Sequence, residues 1–283
     1  MSVAAQITPD AGRYLDVAGI RTHFYDVGEG DPILLLHGSG PGVSAWANWR
    51  LIIGDLAERA RVIAPDQVGF GGTDPTADGR YGRSAWTAHA IDLIEHLGLA
   101  RVSVVGNSMG GAIALSLAAA RPDLIERIVL MGATGVEFPI TEELDAIWGY
   151  TPDPERMRTL IEIFAYDHSI ITDDLVALRY QQSLDPPRRA SYEAMFPAPR
   201  QRWVDDLALD DAELRAIRQP VLLIHGFHDR VVPRTTSLRL MELLADADLH
   251  LIGRCGHWVQ IEQATKFSAL VRAFLTPDVG EQP

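Results

Sequence analysis

The sequence has little cysteine, no excess of positive charge and no long apolar run. Its 283 residues include one cysteine, Cys255, so no internal disulfide can form. A formal net charge of −13 argues against nucleic-acid binding, which needs clustered Lys and Arg. No stretch approaches the roughly 18 apolar residues of a membrane-spanning helix, and the first twelve residues do not resemble a signal peptide. We therefore expect a cytoplasmic protein that binds neither nucleic acid nor membrane.

Short apolar runs, rich in β-branched residues, alternate with longer helix-like stretches in the first half of the chain. The runs lie at 33–36, 61–64, 102–105 and 128–131, and the helix-like stretches at 46–59, 84–97 and 111–120. Each run is continuous rather than alternating, which is typical of strands buried on both faces. Strand alternating with helix predicts an α/β fold, with a mostly parallel sheet covered by helices on both sides.

This rhythm stops after Thr134. Residues 135–206 are helix-like and rich in aromatic side chains, and prolines divide them into short segments. Strand-like runs resume at 221–225 and 248–252. The sequence therefore predicts a core made of residues 1–134 and 207–283, with residues 135–206 inserted as a helical lid over the sheet edge.

A candidate nucleophile follows the third apolar run. Residues 106–110 read GNSMG and open the helix-like stretch after them, which matches G-x-S-x-G in its strand–turn–helix context. Glycines on both sides let the chain pass closely through a strained turn, and the turn holds the Ser108 hydroxyl above the sheet. The alternative, a glycine-rich turn with an incidental serine, does not account for this context.

An acid and a base follow Ser108 in the chain order of α/β-hydrolases. Asp229 comes just after the run at 221–225, and His257 follows the run at 248–252. Asp229 alone could be a turn residue and His257 alone a packed histidine, but with Ser108 they complete a triad. His225, His228 and Asp229 also read as H-x-x-H-D, yet no second cluster supports a metal site. We expect no metal and no cofactor.

The loop at 37–42, which reads HGSGPG, follows the first apolar run. In this fold one oxyanion donor comes from such a loop and the other from the residue after the nucleophile. The backbone N–H groups of Ser39 and Met109 are therefore the predicted oxyanion hole. The glycines could merely allow a turn, but the turn is also what aims the N–H group.

Longer stretches resemble a known family. They are HGSGPGVSAWANWR (37–50), VIAPDQVGFGGTD (62–74), VVGNSMGG (104–111), FPITEELDAIWGY (138–150), MFPAPRQRWVD (195–205) and CGHWVQIE (255–262). Together they resemble the meta-cleavage-product hydrolases of aromatic degradation, most of all the 2-hydroxymuconate-semialdehyde hydrolase branch. The resemblance spans both the core and the lid, so it covers nearly the whole chain.

The resemblance implies hydrolysis of a C–C bond in a 2-hydroxy-6-oxohexa-2,4-dienoate. The products would be 2-hydroxypenta-2,4-dienoate and a small carboxylic acid. The dienol would first ketonise at C5, and water or Ser108 would then add to the C6 carbonyl. An acyl-enzyme and a gem-diol both satisfy the sequence, and C6 could carry hydrogen, methyl or a larger group. The resemblance also suggests a homo-oligomer.

The resemblance also implies a set of substrate-binding residues. Arg179 matches a carboxylate-binding arginine, and a guanidinium is suited to bidentate binding of a carboxylate. Arg179 could otherwise be a solvated lid charge, Asn107 a turn residue and Trp258 a core aromatic. The matching polar positions around the dienoate are Asn48, Asn107 and Trp258, and the walls facing the C6 substituent, which could equally be ordinary packing, are Leu144, Trp148 and Val231.

Two other functions remain open at this stage. A carboxylesterase would use the same triad, but a neutral ester has no use for Arg179 or Asn48. A hydrolase-fold receptor would bind a ligand without turnover, and the intact triad argues against that. Dehalogenase and epoxide-hydrolase relatives carry aspartate at the nucleophile position, where this chain has Ser108.

Overall fold

One eight-stranded sheet forms the centre of the protein. The computed structural model describes residues 8–276, and the strand order in the sheet is β1-β2-β4-β3-β5-β6-β7-β8. Strands β3 to β8 run parallel, as the continuous apolar runs predicted. Their bounds are β3 Pro32–Leu36, β4 Arg61–Pro65, β5 Val102–Asn107, β6 Ile125–Met131, β7 Val221–Gly226 and β8 Ala247–Ile252.

The sequence analysis missed the first two strands. β1 (Arg13–Val17) and β2 (Ile20–Val27) form a hairpin, and β2 joins the sheet antiparallel to β4. The turn residues Ala18 and Gly19 both have positive φ, at 51° and 86°, as tight hairpin turns require. β1 is largely exposed at the sheet edge, so it lacks the continuous apolar run that marks the buried strands.

Two hydrophobic cores lie on opposite faces of the sheet. Along β3, Leu34 and Leu36 enter one core, while Ile33 and Leu35 enter the other, as the alternation of a strand requires. Helices α3, α4 and α11 and the inserted helices pack on the first face, and α1, α2 and α13 pack on the second. The bounds of the longer flanking helices are α3 Arg83–His96, α4 Met109–Ala120, α11 Thr235–Leu243 and α13 Ala264–Leu275.

The helix predicted at 46–59 is wrong as a single element. The structure has two short helices there, α1 (Ala45–Trp49) and α2 (Ile53–Leu56). Ile52 interrupts them with φ −122°, outside helical values. Trp49, Ile52 and Ile53 are all buried. All three pack into the same hydrophobic core on the second face of the sheet.

Six short helices connect β6 to β7, as the prolines and helix-like composition predicted. Pro154 and Pro186 stand at the first turns of α6 and α8, where proline is tolerated. The division into a core and a lid at 135 and 206 stays a prediction. The bounds are α5 Glu142–Trp148, α6 Pro154–Phe164, α7 Asp173–Leu184, α8 Pro186–Met195, α9 Gln201–Leu207 and α10 Asp211–Ala216.

After β8, the short helix α12 (Val259–Glu262) precedes α13. Among residues 8–276, no helix is both long enough and apolar enough to cross a membrane.

Candidate active site

Ser108 occupies a strained turn between β5 and α4. Its φ of 54° and ψ of −117° lie in a region that L-residues rarely adopt. Its neighbours have no room for a side chain, because a Cβ on Gly106 would lie 2.4 Å from the Gly110 carbonyl oxygen. A Cβ on Gly110 would in turn lie 2.2 Å from the Leu36 carbonyl oxygen. The glycines of GNSMG are therefore required by the close passage of β5, α4 and the loop after β3.

The backbone of Ser108 is fully engaged while its hydroxyl is not. Its N–H donates to the Met131 carbonyl at 3.0 Å, and its carbonyl accepts from Gly111 and Thr134 at 2.9 and 3.2 Å. Within the described residues, no hydrogen bond holds the hydroxyl, and the residue is 4% exposed. The turn is thus fixed from both sides, and the hydroxyl is free to meet a base and a substrate.

His257 and Asp229 form a buried pair. The His257 Nδ1 atom lies 2.7 Å from Asp229 Oδ2, and Asp229 Oδ1 accepts from the N–H groups of Val231 and Val232 at 2.8 and 3.0 Å. Burial by itself would raise the pKa of Asp229, but the neighbouring charge of His257 and hydrogen bonds from His225 and His257 outweigh it and hold that pKa well below its usual range. An ionised Asp229 fixes the ring of His257.

The end of β6 brings the nucleophile and the base to one place. Ser108 bonds to Met131, and Gly132 follows directly. A Cβ on Gly132 would lie 3.1 Å from both Asp229 Oδ2 and His257 Nδ1. Ser108 and His257 therefore flank the same two residues at the carboxyl end of β6, where α/β sheets gather their sites.

The sequence analysis missed one partner of the acid. His225, fully buried at the end of β7, places Nε2 at 3.1 Å from Asp229 Oδ2 and 3.0 Å from the Val232 carbonyl. Its Nδ1 lies 2.7 Å from the Ser237 hydroxyl. Both ring nitrogens of His225 are therefore used inside the protein. Across residues 8–276, no cluster of three or more His, Cys, Asp or Glu side chains could hold a metal ion.

The loop after β3 passes close over Ser108. A Cβ on Gly38 would lie 3.1 Å from the Ser108 Cβ. His37 fixes the loop: its Nδ1 lies 2.7 Å from the Gly38 carbonyl, and its Nε2 accepts from the Gln67 N–H at 2.9 Å. Burial lowers the pKa of His37, so a neutral ring holds the loop with its proton on Nδ1. Ser39, one of the two predicted oxyanion donors, comes next in this loop.

Met109, the other predicted donor, is the first residue of α4 and is fully buried. N–H groups in the first turn of a helix have no partner within the helix and carry partial positive charge. The N–H of Met109 therefore suits an oxyanion, and its role stays a prediction.

Arg179, on α7, is buried without a counter-charge. It is 7% exposed, and its side chain makes no hydrogen bond or ion pair with any residue in the described part of the chain. Asn48 Nδ2, on α1, is likewise buried without an acceptor. Both side chains line a cavity of about 150 Å³, together with Arg50 and Trp258. Arginine is rarely buried unpaired, so this cavity suits an anion.

Arg50 is a second cation of this cavity, and the sequence analysis did not single it out. Its guanidinium donates to the Ala47 carbonyl at 2.6 Å, with no carboxylate partner within residues 8–276. Burial, followed by the positive charge of Arg50, lowers the pKa of Arg179 to about 10. Arg179 therefore remains charged at neutral pH. The sequence could have indicated Arg50, because it is the last residue of the family-matching stretch 37–50.

Phe164 connects the cavity that holds Arg179 to His257. Its ring stacks on His257 at 5.8 Å and on Trp258 at 4.9 Å between centroids. Trp258 in turn lies under the Arg179 guanidinium, 5.8 Å from its carbon to the ring centre. The Phe164 carbonyl also accepts from the His257 N–H at 2.8 Å. The cavity that holds Arg179 and the predicted base His257 are thus joined through one residue of the inserted helices.

The three predicted wall residues are buried, and two of them are joined through Thr141. The Thr141 hydroxyl donates to the Val231 carbonyl at 2.8 Å and accepts from the Leu144 N–H at 3.0 Å. Trp148, at the end of α5, donates from Nε1 to the Ser39 hydroxyl oxygen at 2.8 Å. The predicted wall residues therefore lie beside the loop that carries Asp229 and the loop that carries Ser39.

Asn107 is placed differently from the other predicted polar contacts. Its side-chain nitrogen donates to the Met131 carbonyl at 3.1 Å and so ties β5 to β6. A Cβ on Gly38 would lie 3.2 Å from its side-chain oxygen. The turn role considered for Asn107 accounts for the nitrogen, and its substrate role stays a prediction.

A strained serine between a strand and a helix, next to a buried histidine–aspartate pair, is the arrangement of α/β-type serine hydrolases. Comparison with known proteins agrees with this class. The family described as "alpha/beta hydrolase fold" matches residues 31–264.

Relatives within that class are close. The chain is 51% identical to 2-hydroxymuconate semialdehyde hydrolase of Pseudomonas sp. strain CF600, over 96% of both chains. It is 49% identical to 2-hydroxy-6-oxo-2,4-heptadienoate hydrolase of Pseudomonas putida strain F1, over 96% of this chain and 99% of that one. The solved meta-cleavage product hydrolase of Pseudomonas fluorescens IP01, a serine-to-alanine variant with bound acetates, superposes with a TM-score of 0.93. It is 49% identical, covering 94% of this chain and 98% of that one. The chain belongs to the α/β-hydrolase family and, within it, to the meta-cleavage-product hydrolases.

Proposed function

We propose that this protein hydrolyses the C5–C6 bond of a 2-hydroxy-6-oxohexa-2,4-dienoate. Water adds across that bond, and the products are 2-hydroxypenta-2,4-dienoate and a small carboxylic acid that carries the former C6. The reaction needs no cofactor. The names of the relatives in Pseudomonas support this substrate class.

The observation that carries the proposal is the buried, unpaired guanidinium of Arg179. A carboxylate in its cavity would supply the missing counter-charge, and the free amide nitrogen of Asn48 would supply a further donor. A dienoate has a carboxylate and an adjacent enolic oxygen at one end, which matches this pair of donors. Its C6 carbonyl would then point past Phe164 toward Ser108.

We expect a reaction in two stages, as the family resemblance implies. The dienol first ketonises, which moves a proton to C5 and makes the remaining fragment a competent leaving group. Ser108, or water in its place, then adds to the C6 carbonyl while His257 accepts the proton. The N–H groups of Ser39 and Met109 stabilise the resulting oxyanion. The C5–C6 bond then breaks, its electron pair returns to the dienolate, and water completes formation of the acid.

Asp229 and His225 support this chemistry by fixing the imidazole ring of His257. An ionised Asp229 keeps the His257 proton on Nδ1, which leaves Nε2 free to accept from Ser108. His225 gives the same carboxylate a fourth neighbour, after His257 and the N–H groups of Val231 and Val232, and so restrains its rotation.

A comparison of two substrates tests the proposal. We expect rapid loss of the dienolate absorbance and slower hydrolysis of p-nitrophenyl acetate by the wild-type protein. Ser108→Ala is expected to slow both reactions at least about a hundredfold. Arg179→Met is expected to raise KM for the dienoate and leave that for the ester unchanged. Rapid ester turnover with an inert dienolate would identify a carboxylesterase instead.

We also propose that the protein acts in the cytoplasm as a homo-oligomer. The single cysteine, which is buried and unpaired, suits a reducing compartment. Exposed apolar side chains on α11 and on the edge strand β8, Leu238, Met241 and Leu251, supply surface for a contact between copies.

A further inference from the structure

One hydrogen bond joins the predicted lid to residues 37–42, which we call the oxyanion loop. Trp148 closes α5 and is 4% exposed, and its indole N–H donates to the Ser39 hydroxyl oxygen at 2.8 Å. In the sequence analysis both residues were assigned separate tasks, a wall and an oxyanion donor. The bond between them links those tasks.

The lid itself fixes the position of the indole. The Trp148 ring lies face to face on Phe196, with centroids 4.5 Å apart and planes 3° from parallel. The carbonyl of the preceding residue, Ile147, accepts from the Tyr192 hydroxyl at 2.7 Å. Phe196 is itself buried, at 2% exposure. The contacts at Phe196 and Ile147 therefore restrain the orientation of the indole N–H.

The core holds the start of the oxyanion loop. His37 and Gln67 fix its start through the bonds at 2.7 and 2.9 Å. Further along, the Ser39 side chain contacts no hydrogen-bonding group of the described residues other than the Trp148 indole. A bond at the side chain restrains the rotation of the Ser39 peptide, which determines where its N–H points.

We propose that Trp148 is a positioning residue for the oxyanion hole. It orients the Ser39 peptide so that its N–H faces the developing oxyanion, and the hole is complete only with the lid in place. The inference rests on the proposed role of the Ser39 N–H. A misaligned N–H weakens the hydrogen bond to the oxyanion of the transition state much more than any bond to the bound substrate. We therefore expect the loss of Trp148 to lower kcat rather than to raise KM.

A double-mutant cycle tests this inference. Trp148→Phe keeps a ring on Phe196 but removes the donor, and Ser39→Ala removes the acceptor but keeps the backbone N–H. We expect each variant to lower kcat about tenfold, less than the loss of a whole oxyanion donor, with KM within about twofold. The double variant should be no slower than either single variant.

Trp203→Phe is the matched control. Its indole N–H also lies in the inserted region but bonds to the Pro197 carbonyl at 2.9 Å. We expect it to leave kcat unchanged. The cycle is run on the dienoate and on p-nitrophenyl acetate, because every acyl transfer uses the oxyanion hole. An inert dienoate would overturn the proposed function and leave the cycle readable on the ester.

Three results would overturn the inference. The first is an unchanged kcat in Ser39→Ala. The second is a double variant whose loss in kcat equals the product of the two single losses. The third is a rise in KM without a change in kcat in Trp148→Phe. The last would assign Trp148 only to the substrate wall. Ser39→Ala removes little volume, so it keeps the test valid even where Trp148→Phe disturbs the lid.

Discussion

Ser108 and Arg179 both adopt states that a folded chain normally avoids. Ser108 has a left-handed φ of 54°, and Arg179 is a buried charge without a counter-charge. Each state costs free energy, of order 1–3 kcal/mol for the backbone strain and more for an unpaired charge. Both costs fit the proposed reaction. The strain would present the Ser108 hydroxyl as nucleophile, and the charge of Arg179 would be neutralised by the substrate carboxylate.

Replacing Arg179 should therefore stabilise the free protein. Arg179→Met keeps a flexible, unbranched apolar stem and removes the buried charge, so we expect the free energy of unfolding to rise by about 1–3 kcal/mol. Its affinity for the dienoate should fall at least about tenfold, since charge-assisted hydrogen bonds are lost. Thermal unfolding and steady-state kinetics measure both effects.

Arg202→Met is the control for that substitution. Arg202 also lies in the inserted helices but is exposed, and it stacks on Trp203 at 4.6 Å. We expect little change in either quantity. A destabilised Arg179→Met protein would mean that Arg179 holds the lid rather than a substrate.

Residue types and order were enough to predict part of the site. Ser108, Asp229 and His257 follow from motif and chain order, and the structure places them around the end of β6. Arg179 needed the family resemblance, because nothing in a helical sequence says which charge will be buried. His225 was seen only as a possible metal ligand, since its contact with Asp229 depends on how the loop after β7 folds back.

At the scale of elements, one carboxylate joins the segment after α6 to the loop that carries His257. Glu262, at the end of α12, accepts from the Gly256 N–H through Oε1 at 2.8 Å. Its Oε2 accepts from the N–H groups of Tyr166 and Asp167 at 2.7 and 2.9 Å. A Cβ on Gly256 would lie 2.6 Å from the Phe164 carbonyl oxygen, so the two segments touch directly. Glu262 thus positions both His257 and Phe164.

Glu262→Gln tests this clamp. The amide has the same shape, but its NH₂ group must face at least one backbone N–H, which leaves two donors opposed. We expect a loss of about 1–3 kcal/mol in stability and a higher KM for the dienoate. Hydrogen exchange should become faster at residues 166, 167 and 256.

Glu242→Gln provides the comparison, because Glu242 pairs with Arg239 at the surface of α11. An exposed pair contributes little, so stability, exchange and KM should stay as in the wild type. Unchanged hydrogen exchange in Glu262→Gln would mean that Glu262 does not hold the two segments together.

The most buried elements were the most predictable. Strands β3 to β7 appear as nearly continuous apolar runs, whereas the partly exposed β8 contains Asp248 and His250. The predicted bounds of α3 and α4 lie within two residues of those in the structure. The β1–β2 hairpin escaped because its outer strand is exposed, although Gly19 at its turn was a usable signal. The single helix expected at 46–59 is two short helices because Ile52 leaves the helical region, which the composition of this stretch does not indicate.

At the scale of the whole molecule, a buried histidine couples stability to pH. His89 on α3 is 7% exposed, and its Nε2 lies 2.8 Å from the Thr22 hydroxyl on β2. Burial lowers the pKa of His89 to about 4, while in the unfolded chain it keeps its ordinary value near 6.5. Acid therefore protonates the unfolded chain first, and this histidine's share of stability is lost as the pH falls from 6.5 toward 4.

His89→Gln should flatten that dependence. Glutamine can still donate to Thr22 but does not titrate, so we expect its stability to fall by about 2 kcal/mol less than that of the wild type between pH 7.5 and pH 5. Urea unfolding at the two pH values measures the difference. His96→Gln, on the same helix but exposed, should keep the wild-type dependence. Equal slopes for His89→Gln and wild type would refute the assignment.

The central claim is that water cleaves a carbon–carbon bond in this site, and loss of colour alone could come from ketonisation. The most direct measurement is product analysis after turnover of the dienoate in H₂¹⁸O. We predict one equivalent each of 2-hydroxypenta-2,4-dienoate and of the small carboxylic acid, with ¹⁸O in the carboxyl group of that acid. Consumption of the dienoate without release of the acid would contradict the account.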